Sequence, residues 1–243
     1  MGRKQYITKN YATGKISKLQ NTLFNERKEV KNMAKKVVET IELKPIVPET
    51  FKVTIVGDSD LILNKMNDVT TKQLTDARKD KAKDIEKPNE WEAIITSIHW
   101  RDGKPTDFSQ EGLKDALQNN APCITCFGLK KSFMNAVVRN EIAQYSTKFD
   151  STVNIIGTGD NLIPITFTEY HLDEKLMSPK KGSPVLTKLN RFSGWRATFS
   201  VSFLDNVYSR EQIINIINLA GFGLGIGSGR SSDYGRYHVE SIE

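Results

Sequence analysis

Alternation of apolar and polar residues at period two is the dominant pattern in this chain. "GWRATFSVSFL" (194–204) puts Trp195, Ala197, Phe199, Val201 and Phe203 on one side and polar residues on the other, which predicts a half-buried strand. "TFKVTIVG" (50–57) repeats the pattern with Phe51, Val53 and Ile55. "WEAIITSIHW" (91–100) predicts a further strand. "VNIIGT" (153–158) and "IPITFTEY" (163–170) predict two more, joined by the turn "GDN", and "YGRYHVESI" (234–242) predicts a closing strand. Helical spacing replaces alternation in three places. "SQEGLKDALQNN" (109–120) opens at Ser109, a side chain suited to capping; "GLKKSFMNAVVRNEIAQY" (128–145) aligns Leu129, Phe133, Val137 and Ile142; "SREQIINIINLAG" (209–221) stops at a glycine.

The order is strand, charged insertion, strand, two helices, two strands, basic loop, strand, helix, glycine loop, strand. Paired strands between helices predict an α+β fold with a mostly antiparallel sheet and helices on one face. A doubly wound nucleotide fold would alternate strand and helix more regularly. Residues 49–243 are expected to form one domain, and 1–48 a basic N-terminal arm, with a partly helical stretch marked by Leu19, Leu23, Val30, Met33, Val37 and Ile41. Within the domain, 70–88 ("TTKQLTDARKDKAKDIEKP") has almost no apolar side chains and is expected to project into solvent.

Charge sharpens this picture. The net charge is +6, and residues 1–50 hold eleven bases against five acids, so the arm carries the whole excess. A basic balance favours polyanionic partners. No apolar run approaches a membrane span, no secretory signal is evident, and two cysteines fit a reducing cytoplasm, the host's if the chain is phage-encoded.

Three segments could touch nucleic acid. In "GFGLGIGSGRSSDYGRY" (221–237), Gly225, Gly227 and Gly229 let backbone N–H groups line a nest for phosphate, Arg230 and Arg236 could clamp it, and Tyr234 or Tyr237 could stack on a base. The competing reading is a tight turn after a helix, whose C-terminal dipole repels anions. "GLGIGSGR" also lacks the Lys-Ser/Thr ending of a Walker loop, which argues against nucleotide hydrolysis. In "GLKKSFMNAVVR" (128–139), Lys130 and Lys131 stand in the first helical turn and Arg139 further along. In "KKGSPVLTKLNRFSGWR" (180–196), Lys180, Lys181, Lys188 and Arg191 are interleaved with Phe192, the stacking candidate, while Trp195 alternates into the core.

Other chemistry is sparse. "CITC" (123–126) supplies two of the four ligands a closed zinc site needs, so buried thiols are expected and no metal or cofactor. Asp58, Asp60, Asp173 and Glu174 fall in turns. His99, His171 and His238 are the histidines available for acid–base work, and none sits in a recognisable catalytic set.

"LAGFGLGIGSGRSSDYGRYHV" resembles the helix, glycine-rich loop and strand of the RAMP superfamily, the ferredoxin-like (RRM-like) RNA-binding proteins of CRISPR systems. Gly221, Gly223, Gly225, Gly227, Gly229 and Arg230 match that loop. The stretch 51–240 also resembles uncharacterised phage and prophage proteins in which a strand like "RFSGWRATFSVSF" precedes the same ending. The resemblance implies a ferredoxin-like core and a grip on single-stranded RNA or DNA, with copies lined up head to tail as a homo-oligomer. It also implies two alternatives: a metal-independent endoribonuclease of the guide-RNA-processing type, or an anti-defence protein that mimics a CRISPR subunit and binds a host component. The processing enzymes place a histidine in the N-terminal third, whereas the first here is His99.

Overall fold

The computed structural model describes residues 46–77, 89–177 and 185–243. The arm before Ile46, the insertion beyond Ala77, and Lys180 and Lys181 lie outside the described residues. Residues 46–243 form one compact unit.

A ferredoxin-like core emerges from seven elements. Strand β1 (Glu49–Gly57) leads through helix α4 (Cys126–Arg139) to β5 (Val153–Ile156) and β6 (Leu162–Thr166). Strand β9 (Arg196–Phe203) then leads through α6 (Arg210–Gly223) to β10 (Tyr237–Ile242). β10 pairs with β1, β1 with β9, and β9 with both β5 and β6, every pairing antiparallel. β5 and β6 share one strand position, so the order is fourth, first, third, second, that of a βαββαβ unit. The alternation read from the sequence explains its two-sidedness. Phe51, Val53, Ile55, Phe199, Val201 and Phe203 are buried, and Lys52, Arg196 and Thr198 are exposed. Helices α4 and α6 pack on the apolar face; Phe133 of α4 lies 6.3 Å from Phe199, ring to ring. Each such large buried side chain contributes roughly 1.5–3 kcal/mol.

Two insertions extend the core. Between β1 and α4 lie β2 (Leu61–Leu63), α1 (Asp68–Ala77), α2 (Glu90–Thr96), β3 (His99–Trp100), α3 (Gln110–Asn119) and β4 (Pro122–Thr125). β4 continues the main sheet beyond β6, and β3 beyond β4. Between β6 and β9, strands β7 (Glu169–Met177) and β8 (Val185–Ser193) join β2 in a three-stranded sheet. A short helix, α5 (Thr147–Thr152), precedes β5.

Three expectations are corrected. Residues 91–100 are mostly helix: Asn89 caps α2 through its side chain, which accepts the Trp91 N–H, and Glu90 and Glu92 favour that end. The basic loop expected over 180–196 is strand β8 from Val185 onward. Its charges disguised it, because they are matched across the ladder by acids such as Glu174 opposite Lys188. The helix expected over 128–145 runs from Cys126 to Arg139, and Glu141 beyond it takes φ +56°. Trp195 is fully buried, and its indole N–H donates to the Ser59 carbonyl.

Candidate nucleic-acid interface

The glycine loop is a strap. Gly225, Gly227 and Gly229 have φ of +68°, +75° and +72°, conformations that side chains rarely adopt. At Gly227 a Cβ would also stand 2.5 Å from the Ile62 carbonyl, so only glycine lets the strap lie on β2. Leu224 and Ile226, between the glycines, are buried. The N–H groups of Gly225, Ile226 and Ser228 donate to the carbonyls of Ala220, Gly235 and Ile62 at 2.8, 3.0 and 2.9 Å. The Ser132 hydroxyl of α4 donates to the Gly225 carbonyl at 2.9 Å. The expected nest of free N–H groups is therefore corrected: three of these donors are turned inward, to the last turn of α6, to Gly235 before β10 and to β2.

Where the strap crosses β2 and faces the start of α4, a cleft of about 310 Å³ opens. Its apolar floor includes Ile62, Leu63, Ile124, Leu129 and Ile226. Its polar wall is formed by Lys65, His99, Lys131, Asn135, Ser228 and Arg230, and among the described residues no Asp or Glu lines it. Lys65, Lys131 and Arg230 have no ion-pair partner among the described residues. The dipole objection is answered by a second helix. The strap follows the negative end of α6, but Thr125, Gly128 and Leu129 at the positive end of α4 line the cleft. Thr125 caps that helix by accepting the Gly128 N–H at 3.0 Å. Burial, and then the charge of Lys65, hold His99 below its ordinary value, so it is neutral at neutral pH.

The cleft gathers Lys131, Gly227 and Arg230 from two of the three segments read from the sequence. Gly225 and Gly229 shape the strap beside it, and Arg139 is exposed at the far end of α4. The remaining basic candidates among the described residues are neutralised. Lys130 turns the other way, pairing with Asp150 at 2.9 Å. Arg236 pairs with Asp233 of its own loop. Lys188 bridges Glu90 and Glu174. Arg191 makes a two-pronged bond to Asp173, 2.6 and 3.1 Å, and a third contact to Asp60 at 2.5 Å. Phe192 has no exposed surface, packing at 5.0 Å against the Phe167 ring, which removes it as a stacking platform. Tyr237 is buried, and Tyr234 is half-buried with its ring beneath Gly229 and 5.9 Å from the Lys175 ammonium.

The other chemistry is quiet. Cys123 and Cys126 are buried free thiols, and burial pushes Cys123 up to about 12. Among the described residues no cluster of His, Cys, Asp or Glu could hold a metal ion. His171 and His238 contact Glu169 and Asp58, away from the cleft. No helix among the described residues is long and apolar enough to cross a membrane. Sequence reasoning passed over Lys65, a single cation after a three-residue strand, and Phe127, whose ring is 73% exposed on the first turn of α4. The i, i+4 pairing of Phe127 with Lys131 was the available signal.

No protein-family model matches this sequence, and no curated protein matches it. Among solved structures, the chain is similar to one from the cryo-EM structure of the Type III-B Cmr-beta bound to cognate target RNA, at 13% identity and TM-score 0.45. That alignment covers 93% of this chain, which spans 66% of the other's length. It is also similar to Cmr6 from Pyrococcus furiosus, at 14% identity and TM-score 0.34, covering 80% of this chain and 98% of that one. The ferredoxin-like assignment rests on the strand order and pairing described above.

Proposed function

We propose that this protein binds single-stranded nucleic acid through its backbone, seating phosphate in the cleft between the glycine strap and the start of α4. One observation carries the reading: among the described residues, Lys65, Lys131 and Arg230 converge on a cleft that no carboxylate lines, while most other basic candidates are ion-paired. Phosphate seated there would gain from three cations and from the helix dipole, and would release counterions from the strand. RNA is the first strand to test, because the glycine-loop motif resembles an RNA-binding superfamily. A cleft of this size holds about one nucleotide, so a longer strand would be covered by several copies arranged head to tail. The test is fluorescence anisotropy with labelled single-stranded RNA and DNA at low salt. Saturable binding of either strand supports the reading, and a flat titration of both overturns it.

A second reading is favoured by His99. It shares the cleft with the three cations and is neutral, the form a general base needs to take a proton from a ribose 2′-hydroxyl. Incubation of RNA without metal separates the two: cleavage by the native protein but not by His99→Ala establishes the nuclease, and intact RNA removes it.

A further inference from the structure

The described surface carries few exposed aromatic rings, and one of them adjoins the cleft. Phe127 occupies the first turn of α4 and is 73% exposed, although a phenylalanine ring gains by burial. Its neighbour one turn on is Lys131, which lines the cleft, and the Lys131 ammonium stands 5.7 Å from the centre of the Phe127 ring. The helix fixes this juxtaposition, because residues four apart share a face. Thr125 holds the turn in place through its bond to the Gly128 N–H. The ring is thus in contact with an ammonium that itself lines the phosphate seat. A phosphate drawn to Lys131 and Arg230 would bring the base of its own or the adjoining nucleotide over the Phe127 face. That face is open to any unpaired base, since every base has a π surface, and closed to bases already stacked inside a duplex.

We infer that Phe127 is the base-stacking platform of this cleft and gives it a preference for unpaired nucleotides. The inference rests on the binding reading above and adds to it the part of the nucleotide that the cations do not touch. Lys131 takes two roles, attracting phosphate and standing over one face of the ring, which leaves the other face for a base.

The experiment compares the native protein, Phe127→Ala, Phe127→Leu and Tyr145→Ala. Tyr145 is the control: it is 66% exposed but lies beyond the opposite end of α4. Each protein is titrated by anisotropy against a labelled single strand, a duplex of the same sequence, and a strand of equal length lacking its bases. Phe127→Ala is expected to weaken single-strand binding roughly five- to hundredfold, the range for loss of one stacked base. Phe127→Leu should recover only part of that, and Tyr145→Ala should bind as the native protein does. Because the ring is exposed, thermal unfolding of Phe127→Ala should match the native curve. On the baseless strand, native and Phe127→Ala should be equal. Equal binding of native and Phe127→Ala to the ordinary strand, or an equal loss on the baseless strand, overturns the inference while leaving backbone binding intact. A native protein that binds none of the strands overturns both readings.

Discussion

Two regions of this molecule both carry basic residues and put them to opposite use. In the cleft, Lys65, Lys131 and Arg230 stand around an apolar floor with no carboxylate among the described residues that line it. On the β7–β8 ladder, Lys188 and Arg191 each engage two carboxylates. The ladder's cations hold insertions together: Arg191 ties β8 to β7 and to the turn before β2, and Lys188 ties it to α2. Burial works against ionisation of Asp60, but the bonds from Arg191 and Ser193 outweigh it and keep that carboxyl below its ordinary value. Counting bases along a sequence therefore overstates what is free to bind; what matters is which of them the fold leaves unpaired.

The largest expected effect falls on the cleft. Lys131→Glu combined with Arg230→Glu should weaken strand binding more than about a hundredfold, because two attractions become repulsions. Thermal unfolding should hardly change, since neither side chain has an ion-pair partner to lose among the described residues. Arg191→Met should do the reverse. It strands Asp60 and Asp173, which keep 30% and 34% of their side-chain exposure. The cost should be roughly 2–3 kcal/mol, below that of breaking a fully buried pair, and is read from the urea midpoint. Binding per folded molecule should be unchanged. Gly227→Ala should cost about 2 kcal/mol for backbone strain and for the clash with the Ile62 carbonyl, with a secondary loss of binding as the strap shifts. The smallest effect is the titration of His99. Its folded value is depressed, so the unfolded chain takes up the proton first. Stability should be fully present above about pH 6.5, the ordinary histidine value, and fall as the pH drops through the folded value. His99→Asn should flatten that part of the pH curve.

Much of the core was legible in the sequence. Alternation located β1 and β9, the Ser109 cap located α3, and apolar spacing up to a glycine located α6, because those elements obey one local rule each. β8 was missed because its pattern was ionic rather than apolar, and its partner acids lie on other elements, Glu174 on β7 and Glu90 on α2. The 91–100 segment misled because Ile94, Ile95 and Ile98 satisfy a strand or a helix, and only the Asn89 cap decides. For the site, Arg230 and Lys131 were readable as candidates. Their convergence was not, since it depends on the strap crossing β2 at the Ile62–Ser228 bridge. The pairing of Arg191, Lys188, Arg236 and Lys130 was equally invisible, being set by tertiary neighbours.

The most direct measurement is the salt dependence of binding for the native protein and for Lys65→Ala/Lys131→Ala/Arg230→Ala. Each phosphate contact on a single strand contributes a slope of about −0.7 to log K against log salt. The three cations should therefore supply a slope of roughly −2, and the triple variant should lose most of it together with the affinity. A variant that keeps the native slope and binds within about twofold of native would place the nucleic acid elsewhere on the molecule and contradict the account.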